Sequence, residues 1–287
     1  MSLAIACASG CFRVAFVQGV LSAFERANLR ADAYAGTSGT VIPAALAASG
    51  QHDQHGLAYI TGLLDYQSGG LGMSGVFLES IRAWSPLIRD QLGQRRLIIP
   101  VSAVMTPEAG ELTQGKAARR LGRQLLLATA RHDNTWSAAH LRLELFDTHA
   151  ANPDLRLFAG NFDAVAYASS RMLHAWETPA EIDGRAYIDG SYTCSCPALE
   201  LADMGYDEVI AISPECGAFY HDLFSTSLIP SVWHGTPIHA IQPDMDVKTL
   251  GVDYTQATKE GVLRVYQHGE EKGRAFLSAW RRTAYIT

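Results

Sequence analysis

Leu3 to Ala8 is apolar at every position, the pattern of a strand covered on both faces. After a turn at Ser9-Gly10, apolar residues recur at Val14, Val17, Leu21 and Phe24, with Glu25 and Arg26 on another face. That spacing predicts a helix reaching about Asn28. Tyr34-Ala35 predicts a second strand, and Val41 to Ala48 a second helix, with Pro43 in its first turn and Gly50 at its end. Two strand–turn–helix units in succession predict an α/β fold with largely parallel strands.

Further along the pattern is more mixed. Gly69, Gly70, Gly72 and Gly75 predict a mobile loop, followed by a helix over Val76 to Trp84. Leu97 to Met105 reads as a strand that Pro100 weakens. Lys116 to Arg131 reads as a basic-faced helix. Leu141 to Phe146 and Leu155 to Phe158 read as paired strands joined by Asn152-Pro153-Asp154. Phe162 to Met172 is helical in pattern. Residues 182–188 form a hairpin around Asp183-Gly184, and Val209 to Ser213 is a buried strand. Gln256 to Trp280 is a long amphipathic helix, interrupted near Gly269. No repeat or linker divides residues 1–287, so one domain is expected.

Composition narrows the function. Hydrophobic residues make up 48% and charged residues 18% of the 287 positions, enough for a sizeable core. The net charge of −6 excludes a basic footprint for nucleic acid. The five cysteines have no regular spacing, which points to a reducing compartment. No basic residue precedes the first apolar run and no run reaches 18 apolar residues, so a signal peptide and a membrane span are not expected and the cytoplasm is.

Two segments carry candidate chemistry. Gly36-Thr37-Ser38-Gly39-Thr40 sets a serine between small residues where a strand turns into a helix. A nucleophile elbow needs such a turn, and the following helix aims its N-terminal amides at the serine. The usual second glycine has moved one place, and Thr40 stands in its position. A serine that only caps the helix is the competing reading. Tyr187-Ile188-Asp189-Gly190-Ser191 ends the hairpin, and on its own Asp-Gly is an ordinary turn.

Taken together, three blocks resemble the patatin-like phospholipase family. The first is Ser9-Gly10-Cys11-Phe12-Arg13-Val14 with Gly19-Val20-Leu21, similar to the family's glycine-rich oxyanion loop. The second is Gly36-Thr37-Ser38. The third runs from Ala168-Ser169-Ser170 through the hairpin and Asp189-Gly190 to Pro197, then to Gly205 and the strand at Val209. The resemblance implies a three-layer α/β sandwich whose central, mostly parallel sheet is flanked by helices. It implies a Ser38–Asp189 dyad without histidine, an acyl-enzyme intermediate, and an oxyanion hole from Gly10, Cys11, Phe12 and Arg13. Gly36 and Gly39 would shape the elbow. A lipid or acyl ester is the implied substrate, reached through transient membrane-surface contact, with no metal or organic cofactor. The sequence departs from the family in keeping one glycine in Ser9-Gly10-Cys11, in Val14 and Thr40, and in Cys194 and Cys196 where Asp and Asn are common. These departures motivate an alternative, a weak or inactive lipid- or protein-binding module on the same scaffold.

Other residues have competing readings. His174, His221, His234, His239 and His268 leave open a Ser-His-Asp esterase, although none has a local motif. His52 and His55 have helical metal-ligand spacing but no third ligand. Cys11 is a reactive-thiol candidate beside Arg13 or a small buried residue. Lys116, Arg119, Arg120 and Arg123 would meet anionic headgroups or simply face water. Phe77, Leu78 and Trp84 would form a lid or acyl wall, or pack in the core.

Overall fold

The computed structural model describes residues 2–284. In chain order the first elements are β1 (Leu3–Cys7), α1 (Ala15–Arg26), β2 (Ala33–Gly36), α2 (Val41–Ala48), α3 (His52–Ser68) and α4 (Met73–Arg89). Then come β3 (Arg96–Val104), α5 (Pro107–Gln114), α6 (Ala118–Thr129), α7 (Thr135–His140), β4 (Leu141–Asp147) and α8 (Phe162–Ser170). The chain continues through β5 (Glu181–Ile182), β6 (Arg185–Ile188), α9 (Ala198–Asp203) and β7 (Glu208–Ile212). It ends with β8 (Val232–Trp233), β9 (Thr236–Ile241) and α10 (Lys259–Ala284).

These strands form one sheet in the order β5-β6-β3-β2-β1-β7-β9-β8, with β4 also paired to β3. The five strands β3, β2, β1, β7 and β9 are parallel, β4, β6 and β8 run against them, and β5 pairs antiparallel with β6 at the edge. Along β1, Ile5 and Cys7 join a large core with α1, α2, α3, α4, α8 and α10, while Ala4 and Ala6 face a second core with α9. Both faces are therefore covered, which is why the strand sequences are apolar without alternation. This is the expected α/β arrangement of a mostly parallel sheet between helices.

The register of β3 decides where the site lies. Its first residues, Arg96 to Ile98, pair with β2 in parallel. Further on, Ser102 and Ala103 pair with β6 in antiparallel. The two partners therefore approach along the same edge from opposite directions, and their C-terminal ends meet head to head beside Pro100. A proline lacks the N–H that a paired strand needs, and this gap is where none is required. The penalty expected of Pro100 is absent for that reason.

Several local expectations are corrected. The glycine cluster is a short link, Gly69 to Gly72, between two 17-residue helices, and Gly75 lies inside the second. Leu155 to Phe158 makes no strand; Pro153–Leu155 is a short 3-10 turn and only Arg156 bridges to Asp147. α10 continues without interruption through Gly269. A Cβ on Gly269 would lie 2.1 Å from the Phe16 carbonyl oxygen, and one on Gly19 would lie 2.0 Å from that of Tyr266. These glycines permit close contact between α1 and α10 rather than a break. Hairpin residues Asp183 (φ 50°) and Gly184 (φ 76°) take the left-handed conformations that an Asp-Gly turn supplies.

Gly19→Ala should accordingly lower the unfolding free energy by about 1–3 kcal/mol through overpacking. Gly62→Ala, in α3 with nothing within 4 Å of the added methyl, should raise it by up to about 1 kcal/mol. Urea denaturation of the two variants measures both signs.

Candidate active site

Ser38 follows β2 at the turn into α2 and has φ of +58°, a left-handed conformation that a residue with a Cβ adopts at a cost. Several groups hold it there. The Ser38 amide donates to Ser169 Oγ at 3.0 Å, and Ser169 Oγ donates on to the Pro100 carbonyl at 2.7 Å. Ser170 Oγ lies 3.1 Å from the Ser38 carbonyl and 2.9 Å from that of Ala166 in its own helix, and its one proton is shared between them. Both serines come from the last turn of α8, so one helix end grips the nucleophile turn by its N–H and its C=O. A Cβ on Gly36 would sit 2.5 Å from the Thr40 carbonyl oxygen, so the tight turn requires glycine there. Thr40, in the place of the usual second glycine, has a use of its own: its Oγ accepts from the Thr37 amide at 3.0 Å and lies 2.8 Å from the Cys7 carbonyl at the end of β1.

Asp189 follows β6. Its backbone N–H donates to the Arg171 carbonyl, and its own carbonyl accepts from Ser102 Oγ at 2.7 Å. Gly190 passes the strand junction so closely that a Cβ would lie 2.3 Å from the Pro100 oxygen. The carboxylate is fully buried. Ser38 Oγ donates to its Oδ2 at 2.8 Å, while the Ser191 amide and hydroxyl donate to Oδ1 at 2.9 and 2.5 Å. Burial pushes the carboxyl up to about 6, against the lowering effect of the hydrogen bonds from Ser191 and Ser38. The group is thus a stronger base than an exposed aspartate and is still largely ionised at neutral pH.

The loop after β1 stands beside this pair. Cys11 has φ of +47°, a strained conformation for a residue other than glycine. Gly39 faces its backbone: a Cβ there would lie 3.0 Å from the Cys11 nitrogen. Of the four positions expected to line an oxyanion hole, two have occupied amides. Phe12 N–H donates to the Tyr254 carbonyl at 3.3 Å, and Arg13 N–H to the Gly10 carbonyl at 2.9 Å. Among the described residues, no acceptor takes the amides of Gly10, Cys11 or Gly39. The Arg13 side chain points elsewhere, to Glu215 at 2.6 Å, Asp253 at 3.2 Å and Asp246 at 3.3 Å, with its guanidinium 4.2 Å above the Tyr254 ring. It fastens the loop to the segment before α10. Burial pushes the Cys11 thiol up, which disfavours the reactive thiolate.

Among the described residues no histidine hydrogen-bonds Ser38 or Asp189. His221 is held by Glu200 and Asp222, His234 by Asp203, and His268 accepts from the Asp244 amide. His239 lies 3.8 Å from Glu208, and His174 stacks edge-on to Trp176. His52 is a core residue between Ser22 Oγ and Gln18 Oε1, and burial lowers its pKa to about 3. His55 packs on Trp84 instead of sharing a ligand with it. Phe77 is buried against Trp176, so it belongs to the core. In α6, Arg119, Arg120 and Arg123 are exposed.

Sequence reasoning noted the pair Ser169-Ser170 without a role and gave none to Ser102 or Ser191. The hydroxyls of Ser169 and Ser102 serve backbone groups far away along the chain and leave no spacing to read, whereas Ser191 serves the Asp189 carboxylate two residues before it.

No family model and no curated protein matches the sequence. Among solved structures, that of VipD from Legionella pneumophila is similar at a TM-score of 0.48 and 10% identity, covering 97% of this chain. This chain spans 66% of that one. Among the described residues no helix is long and apolar enough to cross a membrane.

Ser169→Ala strands the buried Ser38 amide without an acceptor. Its expected cost is about 1–3 kcal/mol of folding stability, read from urea denaturation. Equal stability of variant and wild type would show that the amide finds another partner.

Proposed function

We propose that the chain is a single-domain serine acyl hydrolase in which Ser38 is the nucleophile and Asp189 its general base. The observation that carries this reading is the 2.8 Å hydrogen bond from Ser38 Oγ to a fully buried carboxylate, made by a serine in a left-handed turn. A structural serine needs neither the turn nor the buried acid. The likeness of the three sequence blocks to patatin-like phospholipases supports the same assignment and suggests a lipid acyl ester as substrate.

In the proposed reaction Asp189 Oδ2 takes the hydroxyl proton as Ser38 Oγ attacks the acyl carbonyl. The amides of Cys11, Gly10 and Gly39, which no acceptor takes among the described residues, are the proposed donors to the oxyanion, and each such donor typically lowers the barrier by about 2.7–4 kcal/mol. The positive end of α2 adds to this field. The proton on Asp189 then goes to the leaving alcohol oxygen. Water attacks the acyl-enzyme, returning its proton through the same carboxylate and freeing Ser38. Beyond the ester, water is the one reactant consumed, and Ser38 and Asp189 end as they began.

Ser38 is only 8% exposed, so substrate reaches the hydroxyl after its neighbours move. That same closure is what favours the second reading, an inactive module that keeps the fold. Hydrolysis of a chromogenic short-chain acyl ester separates the two. The hydrolase reading expects Ser38→Ala to lower turnover by about 10³-fold or more. Equal rates for wild type and variant would leave the module.

The base must be ionised, so kcat/KM should be level above the Asp189 pKa of about 6 and fall about tenfold per pH unit below it. A profile flat to pH 4.5 would remove Asp189 from the role. Burial also has a stability consequence. The folded pKa lies above the unfolded one, so folding favours the protonated form. The cost of the buried charge develops as pH rises from about 4 to about 6, and reaches about 3 kcal/mol above that. Asp189→Asn, which should lose turnover, should therefore be more stable than wild type at pH 7.5 by up to that amount. The gain should vanish near pH 4 in thermal unfolding.

A further inference from the structure

On the far side of the loop that carries Asp189, three side chains from distant positions converge. Cys194 Sγ lies 3.5 Å from Glu200 Oε2, and His221 Nε2 lies 2.6 Å from Glu200 Oε1. One ligand atom from each of the three residues falls within 4.8 Å of the others. Cys194 stands in the loop after Asp189, Glu200 in the first turn of α9, and His221 in the segment between β7 and β8. The sequence expectation of no metal site weighed only spacings within one stretch, and Cys194-x-Cys196 fails that test. Ligands drawn from three separate segments leave no such spacing.

We propose that Cys194, Glu200 and His221 form a divalent metal site of the zinc class, with water as fourth ligand. The ligand set is the first argument. A thiolate, an imidazole and a carboxylate together match the borderline-soft preference of zinc and not the all-oxygen preference of magnesium or calcium. A tetrahedral ion with bond lengths of about 2.3 Å to sulfur and 2.0–2.2 Å to oxygen separates those two ligands by about 3.6 Å. The structure has 3.5 Å. The imidazole nitrogen lies 2.6 Å from the other oxygen, Oε1, so a bound ion would require it to open away from the carboxylate.

The surroundings are the second, independent argument. A metal-bound histidine has its other nitrogen held, commonly by a carboxylate, which fixes the ring and its tautomer. His221 Nδ1 faces Asp222 Oδ2 at 3.3 Å, and Asp222 Oδ1 is itself fixed by the Phe224 amide at 2.8 Å. The His221 carbonyl accepts the amides of Ser195 at 2.6 Å and Cys196 at 3.2 Å, so the backbone on both sides of the cluster is tied together. An ion has a path in, since the side chains of Glu200 and His221 are 15% and 23% exposed while the Cys194 thiol is buried. Left alone, that thiol is hard to ionise, through burial and then the adjacent Glu200. A bound cation reverses this balance.

Such an ion would staple the loop that follows Asp189. Cys194 N–H donates to the Gly190 carbonyl at 2.8 Å, and the Ser191 carbonyl accepts from Leu223. The site does not rest on the hydrolase reading and can be tested without any substrate.

The test uses full-length protein stripped with a chelator and titrated with zinc chloride or cobalt chloride. One equivalent should bind, cobalt should give a thiolate charge-transfer band, and zinc should raise the unfolding temperature. Cys194→Ser should abolish the cobalt band, and Asp222→Asn should weaken binding about 10–100-fold while keeping the band. No stoichiometric binding to wild type, or a band that survives in Cys194→Ser, would overturn the proposal and leave an ion-pair cluster around His221. Wild-type binding is decisive even where a variant fails to fold.

Discussion

Two strands that run at each other along one edge of β3 fix everything else in the candidate site. β2 leaves the edge at Ile98 and β6 joins it at Ser102, so the residues just past each strand end converge on Pro100. Ser38 and Asp189, 151 positions apart in the chain, meet there at 2.8 Å. Ladder register brings the two strand ends together, and the last turn of α8 holds the Ser38 backbone in place. The Pro100 carbonyl then serves the junction directly, accepting Ser169 Oγ and lying against Gly190.

Around this junction the chain spends stability on geometry. Ser38 and Cys11 both sit in the left-handed region, and the buried Asp189 carboxylate is hydrogen-bonded by Ser38 and Ser191. Among the described residues, no acceptor takes the amides of Gly10, Cys11 and Gly39. The surrounding structure offsets these costs with rigid contacts: the Ser169-Ser170 grip on the Ser38 backbone, the Arg13 anchor to Glu215 and Asp253, and the close α1–α10 contact at Gly19 and Gly269. An arrangement of strained turn, buried acid and unpaired donors in one place is what a site for acyl transfer needs and what a purely structural region avoids.

The sequence made the parallel strands legible because they are covered on both faces and so are continuously apolar. The elbow glycines, the Asp-Gly hairpin and Val41–Ala48 were legible for a similar reason: local conformation demands particular residues. What stayed hidden depends on distant partners. β9 was missed because Thr236 to Ile241 mixes Pro237 and His239 into a strand that β7 stabilises from one side. α3 was missed because its glycines at Gly56 and Gly62 and its mixed polar pattern hide a helix that α1 and α4 support. Gly269 was read as a break because sequence alone does not distinguish a helix-ending glycine from one that admits another backbone. In the loop after β1 the sequence points to four residues, of which Phe12 has its amide taken by the distant Tyr254 carbonyl and Arg13 by the Gly10 carbonyl three residues before it.

The central claim is that Asp189 makes the Ser38 hydroxyl nucleophilic. Treatment with a fluorophosphonate, followed by peptide mass spectrometry, tests it most directly. The account predicts a single phosphonylated residue, Ser38, at neutral pH, with labelling strongly slowed in a folded Asp189→Asn protein. Unmodified Ser38 in the wild type, or equal labelling rates in the two proteins, would contradict it.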